Sequence, residues 1–176
     1  MADTIGTYLW KGSDIKTIDE VQRYWTDNVN STQFWTGDPR RIGSGEFFDT
    51  VGSFIRKNYE HRYRLIENQA AKFPGGKILE VGCGAGWELV HWARCGMKAT
   101  GLDLSAAALE LAQKNLQHNN LQAELKHGSA EELPFDNNTF DVVASLGVLH
   151  QTESTQKAVT EVWRVLKPGG EALITL

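Results

Sequence analysis

No stretch of this chain approaches the about 20 consecutive apolar residues of a membrane-crossing helix. Its start, Met1-Ala2-Asp3-Thr4, lacks the charged-then-apolar pattern of a secretory leader. These absences make the cytoplasm the expected location and argue against a membrane partner. Cysteine is scarce: Cys83 and Cys95 have neither zinc spacing nor the density of a disulfide framework. Both are expected as reduced thiols, and no metal site is expected. Basic clusters are short, none longer than Arg40-Arg41 or Arg56-Lys57, and 18 basic against 22 acidic residues leave a net charge of −4. A phosphate backbone normally demands a basic face, so nucleic acid is disfavoured as a partner. Internal repeats are absent.

What is present is 176 residues, 41% of them hydrophobic, enough to bury a substantial core. The chain divides near Pro74-Gly75-Gly76, a helix-breaking turn. Residues 1–73 form an aromatic-rich segment, holding twelve of the Phe, Trp and Tyr residues of the whole chain. There, Thr17 and Glu20 form a capping box for a helix through about Val29, residues 30–44 read as a loop, and 45–73 as a long helical stretch. Residues 74–176 alternate strand and helix: strand 77–81, helix 87–95, strand 98–104, helix 106–119 capped by Ser105, strands 123–127 and 140–146, a helix from about Thr155, and a last strand 171–176. In the last helix Val159, Val162, Trp163 and Leu166 recur at helical spacing and are expected to lie on the sheet. The alternation predicts an α/β, doubly wound parallel sheet with an N-terminal helical cap.

The most informative run is Ile78-Leu79-Glu80-Val81-Gly82-Cys83-Gly84-Ala85-Gly86, an apolar strand entering a glycine turn that opens a helix. Alternate glycines let the backbone turn sharply and let a ligand approach without meeting a Cβ. Asp103 follows the first glycine by about the 20 residues at which a Rossmann-type acid bonds ribose hydroxyls, which implies a nucleoside. A second reading of Asp103 is that it favours the positive end of the following helix. A dinucleotide fingerprint needs its third glycine one position after Gly86, and Trp87 stands there. An indole at that point argues against NAD or FAD and for a ligand carrying adenosine without pyrophosphate.

From Lys77 onward the chain resembles the class I S-adenosylmethionine-dependent methyltransferases, in the branch of small enzymes acting mostly on small molecules. Residues 80–86 resemble that family's first motif, Gly101-Leu102-Asp103-Leu104-Ser105 its second, and Gly128-Ser129-Ala130-Glu131-Glu132-Leu133-Pro134-Phe135 its third. Phe140 to His150 is similar to the fourth strand and its loop, and Arg164 to Gly170 to the turn before the fifth strand. The resemblance implies S-adenosyl-L-methionine as cofactor and strand order 3-2-1-4-5-7-6, of which this chain would hold strands 1–5. A fifth strand at the edge would expose unpaired backbone groups. The expectation is therefore a shortened form, by truncation or by nature, whose edge is covered by the front segment or used for self-association.

The resemblance also implies that Gly82, Cys83, Gly84 and Gly86 form the cofactor turn, that Glu80 lies near the methionine amino group, and that Asp103 holds the ribose. Ser129 stands where the family usually has an Asp that accepts from the adenine amino group, so that bond would lack charge assistance. Ala130 keeps its backbone for the ring, while Leu104 and Leu146 either line the pocket or belong to the core. Methyl transfer needs a base only when the acceptor must lose a proton. His150, in the loop after the fourth strand, is either that base or a residue bonding its own loop. Tyr59, His61 and Tyr63 could reach the site from the front segment. The pairs Tyr24-Trp25, Phe34-Trp35 and Phe47-Phe48 either line an apolar acceptor pocket or form the cap's own core. The expected function is methyl transfer to O, N or C of a small, apolar or aromatic molecule. Alternatives are a cofactor-binding protein without turnover and, opposed by Trp87, an NAD-dependent oxidoreductase.

Overall fold

The computed structural model describes residues 17–175; residues 1–16, the start of the expected cap segment, and Leu176 lie outside the described residues. In chain order the elements are α1 (Ile18–Asp27), α2 (Gly45–Asn58), α3 (Glu60–Lys72), β1 (Lys77–Val81), α4 (Trp87–Arg94), β2 (Lys98–Asp103), α5 (Ala106–His118), β3 (Glu124–His127), β4 (Phe140–Leu146), α6 (Thr155–Val165) and β5 (Leu166–Thr175). The five strands form one parallel sheet in the order β3-β2-β1-β4-β5. Strand β1 is flanked on one side by β2 and on the other by β4, with Leu79 opposite both Thr100 and Val143. The chain reverses its winding there, and open α/β sheets bind ligands outside the carboxyl ends of strands at such a point.

Both faces of the sheet are covered, as a parallel sheet requires. Ile78, Val142 and Ala144 pack with Ile66, Ala70, Leu89, Trp92 and Leu116 from α3, α4 and α5. The alternate residues Leu79, Val81 and Val143 pack with Ala158, Val162 and Val165 of α6. A third cluster, built on Val29, Phe47, Phe48, Val51, Ile55, Trp87, Ala108 and Leu111, seats the front segment on α4 and α5.

Local signals mostly operate as expected. Thr17 and Glu20 form a reciprocal capping box at α1, and the Ser105 hydroxyl accepts from Ala108 N to start α5. The stretch 45–73 is not one helix, however. It breaks at Tyr59 (φ −121°, ψ 30°), whose N–H closes α2 on Ile55 O while its carbonyl accepts from Arg62 N to open α3. The break lets α2 bury Phe47, Phe48, Val51 and Ile55 while α3 buries Tyr63, Ile66, Gln69 and Ala70. The segment between α1 and α2 carries two short 3-10 turns, Thr32–Phe34 and Pro39–Arg41.

Helix α6 also departs from expectation. Its inner face is Ala158, Val162 and Val165, while Val159 is 45% and Trp163 78% exposed. Small Ala158 permits close approach to the sheet, and Leu166, assigned to the helical stripe, instead begins β5. That strand starts at Leu166 rather than at Glu171, absorbing Pro168-Gly169-Gly170 in a register shift opposite Phe140–Val142. Among the described residues no strand pairs with the outer edge of β5. The front segment touches it through Gln69 and Lys72, which donate to the Glu171 carboxylate at 2.8 and 2.7 Å.

The revised α6 face is testable by chemical denaturation. Val162→Ala removes two buried methyl-sized groups and should cost about 1–2 kcal/mol, whereas Trp163→Ser should stay within about 0.5 kcal/mol of the parent. The reverse ranking would restore the Val159-Trp163 stripe.

Candidate functional site

A cleft of about 310 Å³ opens at the carboxyl ends of β1, β2 and β4. Its floor is the turn after β1. Gly82 N and Cys83 N both donate to Leu102 O, at 2.7 and 3.0 Å, folding the turn back on β2. Gly84 N donates to Asp103 Oδ2 at 2.8 Å, and Ser105 N to Asp103 Oδ1 at 2.9 Å. At Gly82 (φ +76°) a Cβ would stand 2.4 Å from Val148 Cγ2. Gly84 (φ +53°) has no heavy atom within 4 Å of a Cβ position, so it leaves bare backbone facing open space. Gly86 does not line the cleft: it caps α4, and a Cβ there would meet Ala112 of α5 at 3.1 Å. Its place in the turn is one of helix packing, which separates it from the other expected cofactor residues.

Glu80, Gly82, Cys83, Gly84, Asp103, Leu104, Ser129, Ala130 and Leu146 all line the cleft. Glu80 is 3% exposed, and its Oε2 has no hydrogen-bond partner among the described residues. Burial pushes its pKa well above the usual carboxylate range, reinforced by the charges of Glu88 and Asp103 and opposed by Arg62. Burial also raises Asp103, against the three backbone N–H groups of Ser105, Gly84 and Leu104 that favour its charged form. Burial, reinforced by the charges of Asp103 and Glu80, raises the Cys83 thiol well above its ordinary value, which disfavours its thiolate. The Ser129 hydroxyl accepts from Glu131 N at 3.1 Å, leaving one of its two acceptor sites for a ligand.

The front segment forms the roof. Gln22 of α1 donates to Leu104 O at 3.1 Å, tying the helix to the end of β2. Trp25, Val29, Phe34, Ile55 and Tyr59 face the cleft. The pairs Tyr24-Trp25 and Phe34-Trp35 thus contribute one ring each. Phe47 and Phe48 are cap core, and Trp35 stands edge-on to Phe47 with its N–H donated to Asp38 O.

His150 is exposed and does not line the cleft. The turn Leu149–Gln151 buries Leu149, which turns His150 outward and brings Gln151 to the lining, its amide donating to Gly147 O. His61 is exposed and Tyr63 buried, while Tyr59 reaches the cleft. The sequence reading missed four charged lining residues, Arg62, Glu88, Glu131 and Glu153. Arg62 pairs with Glu88 at 3.3 Å and lies over the Tyr59 ring at 4.7 Å. Glu88 had a signal, an acid in the first turn of the helix after the glycine turn. Arg62 had none, because its position depends on the break at Tyr59.

A family model described as a methyltransferase domain matches residues 79–174. Among curated proteins, a phthiotriol/phenolphthiotriol dimycocerosates methyltransferase of Mycobacterium leprae is 44% identical over 115 residues, covering 64% of this chain and 40% of that protein. A ubiquinone biosynthesis O-methyltransferase of Mesorhizobium japonicum is 27% identical over 156 residues, covering 88% of this chain and 61% of that protein. The chain therefore spans between 40% and 61% of the length of these two relatives. Among solved structures, the YcgJ protein of Bacillus subtilis superposes with a TM-score of 0.61 at 28% identity, over 65% of this chain and 49% of that one.

The state of Glu80 sets a pH dependence. A carboxyl whose folded pKa is raised favours folding below its unfolded pKa, and that contribution is lost as pH rises through the folded value. Glu80→Gln should therefore gain stability over the parent as pH rises above 4.5, its unfolded reference. Denaturation of both proteins across pH 4 to about 8 checks this. A constant difference across the range would show that folding does not raise the Glu80 pKa.

Proposed function

The chain belongs to the methyltransferase-domain family, and we propose that it binds S-adenosyl-L-methionine in this cleft and transfers the methyl group to O, N or C of a small, apolar or aromatic acceptor. The observation that carries the reading is Glu80 Oε2, buried near the end of β1 in the wall of the cleft with no hydrogen-bond partner among the described residues. A buried polar group without a partner is costly, and an ammonium group would satisfy it.

The residues fit the cofactor part by part. Glu80 suits the amino group. Of the about four acceptor sites of Asp103, the backbone N–H groups of Gly84, Ser105 and Leu104 draw on up to three, which leaves at least one for a ribose hydroxyl. The Ser129 hydroxyl and the Ala130 backbone suit the adenine edge, and Leu104 and Leu146 its faces. Gly82, Cys83 and Gly84 allow close backbone approach. The bound sulfonium supplies both the methyl group and its own leaving group. What remains for the protein is positioning, which can provide much of the acceleration. Trp25, Val29, Phe34, Ile55 and Tyr59 offer an apolar wall that orients the acceptor and excludes water.

Charge narrows the acceptor. Among the described lining residues, the acids Glu88, Asp103, Glu131 and Glu153, besides the buried Glu80, stand against the single guanidinium of Arg62, itself paired with Glu88. Such a field attracts the sulfonium and disfavours anionic acceptors. The phosphate-rich backbone of a nucleic acid is disfavoured on the same ground. No described helix is long and apolar enough to cross a membrane. The unpaired outer edge of β5 supports self-pairing of two copies. Sedimentation should then show a concentration-dependent dimer, and a monomer at all concentrations would remove that part of the proposal.

Calorimetric titration with S-adenosylhomocysteine and with NADH tests the main reading. Saturable binding of the former alone is expected. Asp103→Ala, checked for folding by circular dichroism, should weaken it about tenfold or more. Preference for NADH, or unchanged affinity in the folded variant, would sink the assignment. Binding without a methylated product from any acceptor would leave a cofactor-binding protein.

A further inference from the structure

Four buried side-chain polar atoms have no partner among the described residues: Glu80 Oε2, Trp87 Nε1, Trp92 Nε1 and Ser145 Oγ. Of these residues only Glu80 and Trp87 line the cleft. Resting on the cofactor reading above, we propose that the indole N–H of Trp87 is a ligand-binding donor that takes an oxygen atom of the molecule in the cleft.

Trp87 opens α4 and is 8% exposed. Its orientation is held by α2. The Cζ3 and Cε3 edge stands 3.2 and 3.7 Å from a Cβ position at Gly52, and Phe47 and Phe48 flank the ring with centroids at 6.0 and 5.9 Å. The nitrogen lies on the opposite edge of the indole, away from Gly52. The cleft residues that share its apolar cluster, Val29, Phe34, Ile55, Ala85 and Ala108, bring only apolar side chains, so none of them can accept the N–H. An unmet buried donor is costly, and native structures rarely keep one without a reason. A ligand oxygen removes that cost, and a ligand without one leaves it in place, which makes Trp87 a specificity-determining residue.

Two oxygens have the required chemistry: a carboxylate oxygen at the amino-acid end of the cofactor, or a carbonyl or ether oxygen of the methyl acceptor. Indole N–H resonances of the 15N-labelled chain distinguish them. The Trp87 signal is assigned through its contacts to Gly52 and Phe48. S-adenosylhomocysteine is added first and 1-tetralone, an uncharged aromatic ketone, second. A downfield shift of the Trp87 signal on the first addition identifies the cofactor carboxylate as the acceptor; a shift only on the second identifies the methyl acceptor. A signal unmoved by either probe overturns the proposal. If calorimetry shows that S-adenosylhomocysteine binds and the Trp87 signal stays fixed through both additions, only this inference fails. If S-adenosylhomocysteine does not bind at all, the cofactor reading fails, and the ketone arm still decides the role of Trp87. Trp87→Phe keeps the ring and removes the donor. It should weaken binding of the probe that shifts the signal about tenfold, and unchanged affinity in the folded variant would show that the residue only packs.

Discussion

Asp103 holds two chain reversals with one carboxylate. Its Oδ2 accepts from Gly84 in the turn after β1, and its Oδ1 accepts from Ser105 at the start of α5. The strand ends at β1 and β2 are thereby joined at the level where the cleft begins, and the N-terminus of α4 follows from the position of the turn. The arrangement opposes a desolvation cost with directed backbone N–H groups, since burial alone would drive the carboxyl neutral. The same residue is then placed to bond a ligand with its remaining acceptor sites. Fold and site thus depend on one buried carboxyl whose desolvation is opposed by the backbone N–H groups around it.

Around this tether the sheet and the front segment divide the work. The sheet presents short, backbone-rich elements: Gly84 without a Cβ, Leu104 and Leu146 at strand ends, and Ser129 in the loop after β3. The front segment presents large side chains. The break at Tyr59 lets α2 follow the apolar cluster over α4 and α5 while α3 turns to lie against α4. That turn brings Arg62 to Glu88 and the Tyr59 ring to the cleft. The outcome is a cleft with the glycine turn and acidic side chains on the sheet side and aromatic and aliphatic side chains on the front-segment side.

Much of this was legible in order along the chain. The apolar run to Val81, the glycines after it and the acid at the end of β2 mark the turn that floors the cleft, because each acts within a few residues of itself. The helix caps at Thr17 and Ser105 were legible for the same reason. Failures cluster where a face had to be chosen. On α6, Val159 and Trp163 are more apolar than Ala158, yet Ala158 faces the sheet because close approach favours a small residue. His150 stood in the right loop, and a single 3-10 turn set its ring outside. Gly86 belonged to the right motif and serves the contact of α4 with α5 instead.

By itself the sequence determined the strand and helix order, the parallel sheet, the glycine turn and the identity of Asp103 and Glu80 as its acids. Periodicity, capping and backbone freedom are short-range effects that a linear chain displays directly. Only the tertiary structure decided which aromatic rings form the roof, that Arg62 and Glu88 meet, that Glu80 and Trp87 are left with unpartnered atoms in the cleft, and that His150 is outside it. Those facts depend on desolvation and on contacts between residues distant in the chain, and neither exists until the helices have packed on the sheet.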